Sequence, residues 1–143
     1  MSYFLIFFIL HWYLSLFPQT VFMHRYAAHA MFTVSRFWEK CFYFLSFLTM
    51  GSSYLSAYAY GILHRLHHAY ADTPDDPHSP LYTPNLFRLM WKTKQIYTEI
   101  DTGKDKVDPK YKKNLPTWKS FDLFASSRMV RLGWGVVYFL IYL

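Results

Sequence analysis

Residues 3–29 read YFLIFFILHWYLSLFPQTVFMHRYAAH, and residues 3–23 of that stretch carry no charged side chain. About 20 such residues, coiled as a helix, are enough to cross the hydrocarbon core of a bilayer. A secretory signal would need a positively charged leading region and a small-residue cleavage site. The stretch has neither. Residues 3–23 are therefore expected to form a transmembrane helix, kinked at Pro18 or with a main-chain carbonyl freed there. Positive charge begins immediately afterwards, at Arg25, Arg36 and Lys40. The positive-inside rule then leaves the following residues, His24 onward, at the cytoplasmic face.

Five of the seven histidines fall in two groups, each following an apolar stretch. The first is His24-Arg25-Tyr26-Ala27-Ala28-His29, and the second is His64-Arg65-Leu66-His67-His68. Neutral imidazole is the commonest protein ligand for transition metals and suits Zn, Cu, Fe and Ni. On an α-helix, positions i, i+3 and i+4 fall within an arc of about 100°, so His64, His67 and His68 can face one metal or a close pair. Positions i and i+5 stand about 140° apart on an ideal α-helix. His24 and His29 are thus expected to straddle a helix end or to serve opposite sides of a site. Ligating histidines usually donate their second N–H to a carboxylate, and Asp72, Asp75 and Asp76 are the candidates. Arg25 and Arg65 are candidates for contacting an acidic headgroup or carrier phosphates. His11 is expected to hydrogen-bond a neighbour rather than a metal, and His78 to fix a loop.

A second apolar stretch, residues 41–63, is long enough to suggest another span. If one metal centre uses both histidine groups, both lie on one side of the membrane. Two crossings need about 40 residues plus a turn, and only 34 separate His29 from His64. The segment is therefore expected to enter the membrane and return, or to lie along its interface. Cys41 is the only cysteine, which excludes an internal disulfide, and it reads as a small hydrophobe. Four prolines between Pro74 and Pro84 predict irregular structure over residues 69–84. Asn85 should cap a helix to about Ile100, with Leu86, Leu89, Met90, Tyr97 and Ile100 on its apolar face. Residues 101–119 read as a solvated loop. Leu132 begins a further apolar helix that breaks off in mid-element.

The net charge of +6 is carried entirely by residues 84–131, with eleven Lys/Arg against five Asp/Glu. Flanked by apolar segments, this basic stretch suits a cytoplasmic surface facing anionic headgroups. No nucleic-acid motif accompanies it. No H-E-x-x-H, Cys pair, G-x-G-x-x-G or P-loop is present, which removes zincins, zinc ribbons, iron–sulfur proteins and nucleotide-binding folds.

The two histidine groups, together with Ala69-Tyr70-Ala71-Asp72 and Asp75-Asp76-Pro77-His78-Ser79-Pro80, resemble the membrane fatty-acid desaturases, closest to short bacterial members of the acyl-CoA desaturase branch. Only the first part of that family's pattern is present, since its third histidine box is absent. The resemblance implies an all-α membrane protein in the form of a truncated desaturase fold: a transmembrane helix, an interfacial or re-entrant helix, and a cytoplasmic helical segment carrying the histidine boxes. It implies one partial domain over 1–143: span 3–23, histidine boxes and membrane-embedded segment 24–84, basic cytoplasmic segment 85–131, and the start of a further span at 132–143. It further implies a non-haem centre of two irons, with His24, His29, His64, His67 and His68 among the ligands, and no covalent nucleophile. The implied reaction is O2-dependent insertion of a cis double bond into an acyl chain. The implied partners are an acyl-CoA or acyl-lipid substrate, O2, and a separate electron donor of ferredoxin, rubredoxin or cytochrome b5 type. Trp12, Tyr58, Tyr60 and Gly61 are candidates for lining the acyl tunnel. Five imidazoles cannot complete two metal coordination spheres, so the 143-residue chain alone is expected to be inactive. A histidine-box hydroxylase or alkane monooxygenase, a non-catalytic truncated membrane protein and a histidine-rich zinc sensor remain as alternatives.

Overall fold

The computed structural model describes residues 2–81, 85–141 and 143, and among these there are helices and turns but no strand. The chain runs through helix α1 (Ser2–Pro18), a π-helical segment (Gln19–Ala28), α2 (Arg36–Met50), α3 (Ala57–Tyr70), α4 (Leu86–Asp101), α5 (Lys119–Ala125) and α6 (Arg128–Ile141). Pro84, the last of the clustered prolines, lies outside the described residues.

Tyr3–Ala28 is one 26-residue helix, long and apolar enough to cross a membrane. Its apolar side chains face outward along most of its length, Leu5, Leu10, Trp12 and Phe17 among them. Pro18 has no N–H, and at this residue the α-helical ladder gives way to wider π turns. The helix is thus not broken, as a simple proline kink would suggest; its turn is widened from Gln19 onward.

α2 runs back along this helix. Tyr26 donates to Glu39 near one end (2.6 Å), and the His11 imidazole meets the Thr49 carbonyl near the other (2.9 Å). The second contact bears out the expectation that His11 bonds a neighbour. At 15 residues, α2 rises only about 22 Å. It stops opposite the middle of the long helix, where Gly51–Ser53 turn the chain. Ser56 then caps α3, its hydroxyl accepting from the Ala59 N–H, and α3 returns toward the histidine end. Phe22, Met23, Ala27, Tyr43, Met50 and Ala57 form the core of this three-element unit.

Gly51 makes the reversal possible. Its φ is +52°, and a Cβ there would collide with the Tyr138 hydroxyl of α6. Gly51→Ala combines a strained backbone with displacement of Tyr138. We expect it to lower stability by about 1–3 kcal/mol, measured as a fall in thermal midpoint in detergent.

Asn85 caps α4 as expected, its side-chain oxygen accepting from the Phe87 and Arg88 N–H groups. The apolar face differs from the expected one. Leu89 and Ile100 are buried and Ile96 and Tyr97 partly so, whereas Leu86 and Met90 are exposed. The packed stripe is the one that meets α3. Residues 101–119 are also less free than a solvated loop: Pro116 is buried, and Val107 and Leu115 pack on the Ala59–Ile62–Ile100 cluster. α6 starts at Arg128, four residues before the apolar run.

Candidate metal centre

The five-residue spacing of His24 and His29 is resolved by the π-helical segment. In a π turn the N–H of residue i+5 bonds the carbonyl of residue i, and the His29 N–H donates to the His24 carbonyl at 3.1 Å. Residues i and i+5 therefore stack instead of standing 140° apart. The two rings lie edge to face with centroids 4.6 Å apart. The α-helix geometry assumed from the spacing is replaced by one that puts both imidazoles on the same side.

α3 packs directly against this segment, and Gly61 lies in the seam beneath Leu115. A Cβ there would meet Leu115 at 2.6 Å and the Ala27 backbone at 3.7 Å. Gly61 thus makes room for the Leu115 side chain, whereas toward the π segment a methyl would be in ordinary contact. The close approach carries His64 to within 4.6 Å of His24, ring centroid to centroid. His64 Nε2 lies 3.1 Å from His29 Nε2 and 3.0 Å from His68 Nε2. Nitrogen atoms of His24, His29, His64 and His68 all fall within 4.8 Å of one another. His64 also stacks on Tyr60, with rings 5.6 Å apart and 8° from parallel.

The cluster is electrostatically prepared for a cation. Burial, then the neighbouring imidazoles of His24 and His68, pulls His64 down to about 4. Burial and the same neighbours lower His29 as well. Both shifts favour the neutral imidazole of His29 and His64, the form that offers a lone pair.

His67 leaves this group. Its Nδ1 lies 3.0 Å from both carboxylate oxygens of Asp76. A carboxylate only accepts, so Nδ1 carries a proton, and in the neutral ring the lone pair is then on Nε2. Asp76 is 1% exposed and also accepts from the N–H groups of His78 (2.8 Å) and Asp72 (3.4 Å). Burial alone would raise this carboxyl, yet the hydrogen bonds from His67 and His78 hold it below its ordinary range. His78 fixes the loop as expected, bonding Asp76 through its N–H and approaching Thr93 Oγ1 at 3.3 Å.

The other candidates separate. α3 ends at Tyr70 and Asp72 has φ +61°, so Asp72 does not continue the face of His68. Its contribution is the N–H given to Asp76. Asp75 and Arg25 are exposed. Trp12 faces outward from α1, and Tyr58 packs in the α3–α4 cluster. Arg65 spends its donors on main-chain carbonyls, where a phosphate contact had been expected. The spacing missed the role of Arg65 and the choice of Asp76 among three aspartates. The i, i+5 repeat itself was the available signal for the π turn.

A helical chain with four converging imidazoles and a fifth oriented by a buried carboxylate is a histidine-rich helical protein whose cluster could hold a metal ion. More particularly, this chain belongs to the fatty acid desaturase family, whose family model matches residues 1–143. It is similar to the hex-5-enoyl-[acyl-carrier protein] acetylenase of Moorena producens (strain JHB), 38% identical over 124 residues. That match covers 75% of this chain and 38% of the relative, so the chain spans well under half the relative's length. No solved structure matches the chain.

Proposed function

We propose that this chain forms the membrane-embedded portion and part of the di-iron centre of a fatty-acid desaturase that inserts a cis double bond into an acyl chain. The convergence of His24, His29, His64 and His68 within 4.8 Å carries the reading. The donor set fits iron: it is all imidazole and drawn from two helices packed against each other. These four residues would hold one ion. His67, set apart by Asp76 with Nε2 free, would serve a second. The remaining ligands would come from residues outside these 143. The chemistry that a bound iron pair supplies is activation of O2, with two external electrons, sufficient to remove two hydrogens from an unactivated methylene pair.

The chain's own residues do the rest. Tyr60 holds His64 in register, and Asp76 holds the His67 tautomer. In this reading residues 3–23 of the long helix cross the membrane, and its last turns, to Ala28, emerge at the cytoplasmic face. α2 enters to the level of His11 and α3 returns, which keeps both histidine groups on the cytoplasmic side. The basic residues of 84–131 face headgroups there. The substrate is an acyl chain on a carrier. The name of the Moorena relative favours acyl-carrier protein over CoA or phospholipid. Electrons come from a separate ferredoxin-, rubredoxin- or cytochrome b5-type donor.

The test is expression of the full protein with an electron donor, followed by mass spectrometry of the acyl chains. We expect new cis-alkenes, lost in a His64→Ala variant. Alcohols in place of alkenes would support a hydroxylase, and an unchanged acyl profile would refute the reading.

A further inference from the structure

Arg65 adjoins His64 in sequence, but its side chain turns away from the imidazoles. Its Nε donates to the Ala28 carbonyl at 2.8 Å and its Nη2 to the Ala27 carbonyl at 3.2 Å. Its Nη1 donates to the carbonyls of Lys113 at 2.6 Å and Tyr111 at 3.1 Å. One guanidinium on α3 thus grips two other segments at once. Ala27 and Ala28 lie between His24 and His29, at the helix end, where the last carbonyls have no partner within the helix. A cation is favoured there by the helix dipole. Only a planar fork with five fixed donors reaches acceptors on both sides; a lysine ammonium donates from one point.

We propose that Arg65 is a positioning residue for the metal centre. By tying the Ala27–Ala28 carbonyls to α3, it sets the distance between the His24/His29 pair and the His64/His68 pair. Its second hold, on Tyr111 and Lys113, locks the lysine-bearing turn Pro109–Lys112 over the same face of α3. The proposal rests on reading the four histidines as a metal site.

Arg131 provides an internal control. It is built the same way, donating to the carbonyls of Ser126 (3.0 Å), Ser52 (2.9 Å) and Tyr54 (2.9 Å). It joins α6 to the 51–54 turn and holds no histidine-bearing segment.

The experiment is a Co(II) titration of the full protein, purified metal-free in detergent, following affinity and the ligand-field absorption bands. Thermal midpoints and amide exchange over residues 24–29 are measured alongside. We expect Arg65→Gln to weaken Co(II) binding about tenfold or more, to shift the absorption bands and to speed exchange over 24–29. Arg65→Lys should retain the fold and fall between Arg65→Gln and wild type. Arg131→Gln should lower the thermal midpoint while leaving affinity and bands unchanged. Wild-type affinity and spectrum in both Arg65 variants would overturn the positioning role alone. So would an Arg131→Gln variant that weakens Co(II) binding as much as Arg65→Gln does. Wild-type protein that takes up no Co(II) would overturn the metal-centre reading, and the positioning role with it.

Discussion

His64→Ala is expected to abolish tight metal binding, whereas His67→Ala leaves one ion bound. His64 is the hub of the cluster. Its Nε2 lies within 3.1 Å of nitrogens from both His29 and His68, and its ring packs at 4.6 Å from His24. Removing it takes away the ring that neighbours all three of the other imidazoles and vacates the place stacked on Tyr60. A loss of more than about 100-fold in affinity follows if deleting a ligand costs more than disturbing its hydrogen-bond partner. His67 stands 6.4 Å from His64, ring to ring, and its Nδ1 is committed to Asp76. Its removal deletes a ligand for a second ion and spares the first. The check is metal content by mass spectrometry together with Co(II) titration. Equal losses in the two variants would sink the division into a four-histidine site and a separate His67. His78→Ala serves as a control for the four-histidine site, since the His78 ring neighbours His67 alone among the five imidazoles.

Asp76→Ala is expected to cost about 2–4 kcal/mol of stability and to release His67. The carboxylate is buried and takes hydrogen bonds from one imidazole and two main-chain N–H groups. Alanine satisfies none of them, and each buried donor left unpaired costs about 1–3 kcal/mol before relaxation. Asp76→Asn separates stability from orientation. Its carbonyl oxygen can still accept from the main chain, so most of the stability should remain. Its NH2 can only donate, so an amide turned toward His67 favours the tautomer with the proton on Nε2. That removes the lone pair offered for a metal. Imidazole 15N chemical shifts read the tautomer directly. A Nδ1-protonated His67 in Asp76→Asn would show that the carboxylate does not select it.

Several features were legible from residue order because they depend on local chemistry. The uncharged run 3–23, the Asn85 cap, the breakers after Tyr70, and the hydrogen-bonded roles of His11 and His78 each follow from a few neighbouring residues. The 34 residues between His29 and His64, taken with a shared site for both histidine groups, argued against two full crossings, and the chain does reverse opposite His11. Other features were not legible, because they are decided by what packs where. Leu86 and Met90 belong to α4's apolar pattern but stay exposed, since α3 meets the Leu89–Ile96–Ile100 stripe instead. Arg65 reads as a phosphate ligand until the free carbonyls of Ala27 and Ala28 are placed beside it. Asp72, Asp75 and Asp76 are equivalent in sequence, and only the turn after α3 buries one of them beneath His67.

The sequence by itself determined the helical class, the family and the identity of the imidazoles, because hydropathy, capping and metal-ligand chemistry are written residue by residue. Tertiary structure decided how those imidazoles are shared. The π turn after Pro18 stacks His29 over His24, the packing of α3 on that segment brings His64 to them, and Asp76 draws His67 away. Each depends on a contact between segments distant in the chain or on a helix register, and neither is encoded by spacing under α-helical geometry.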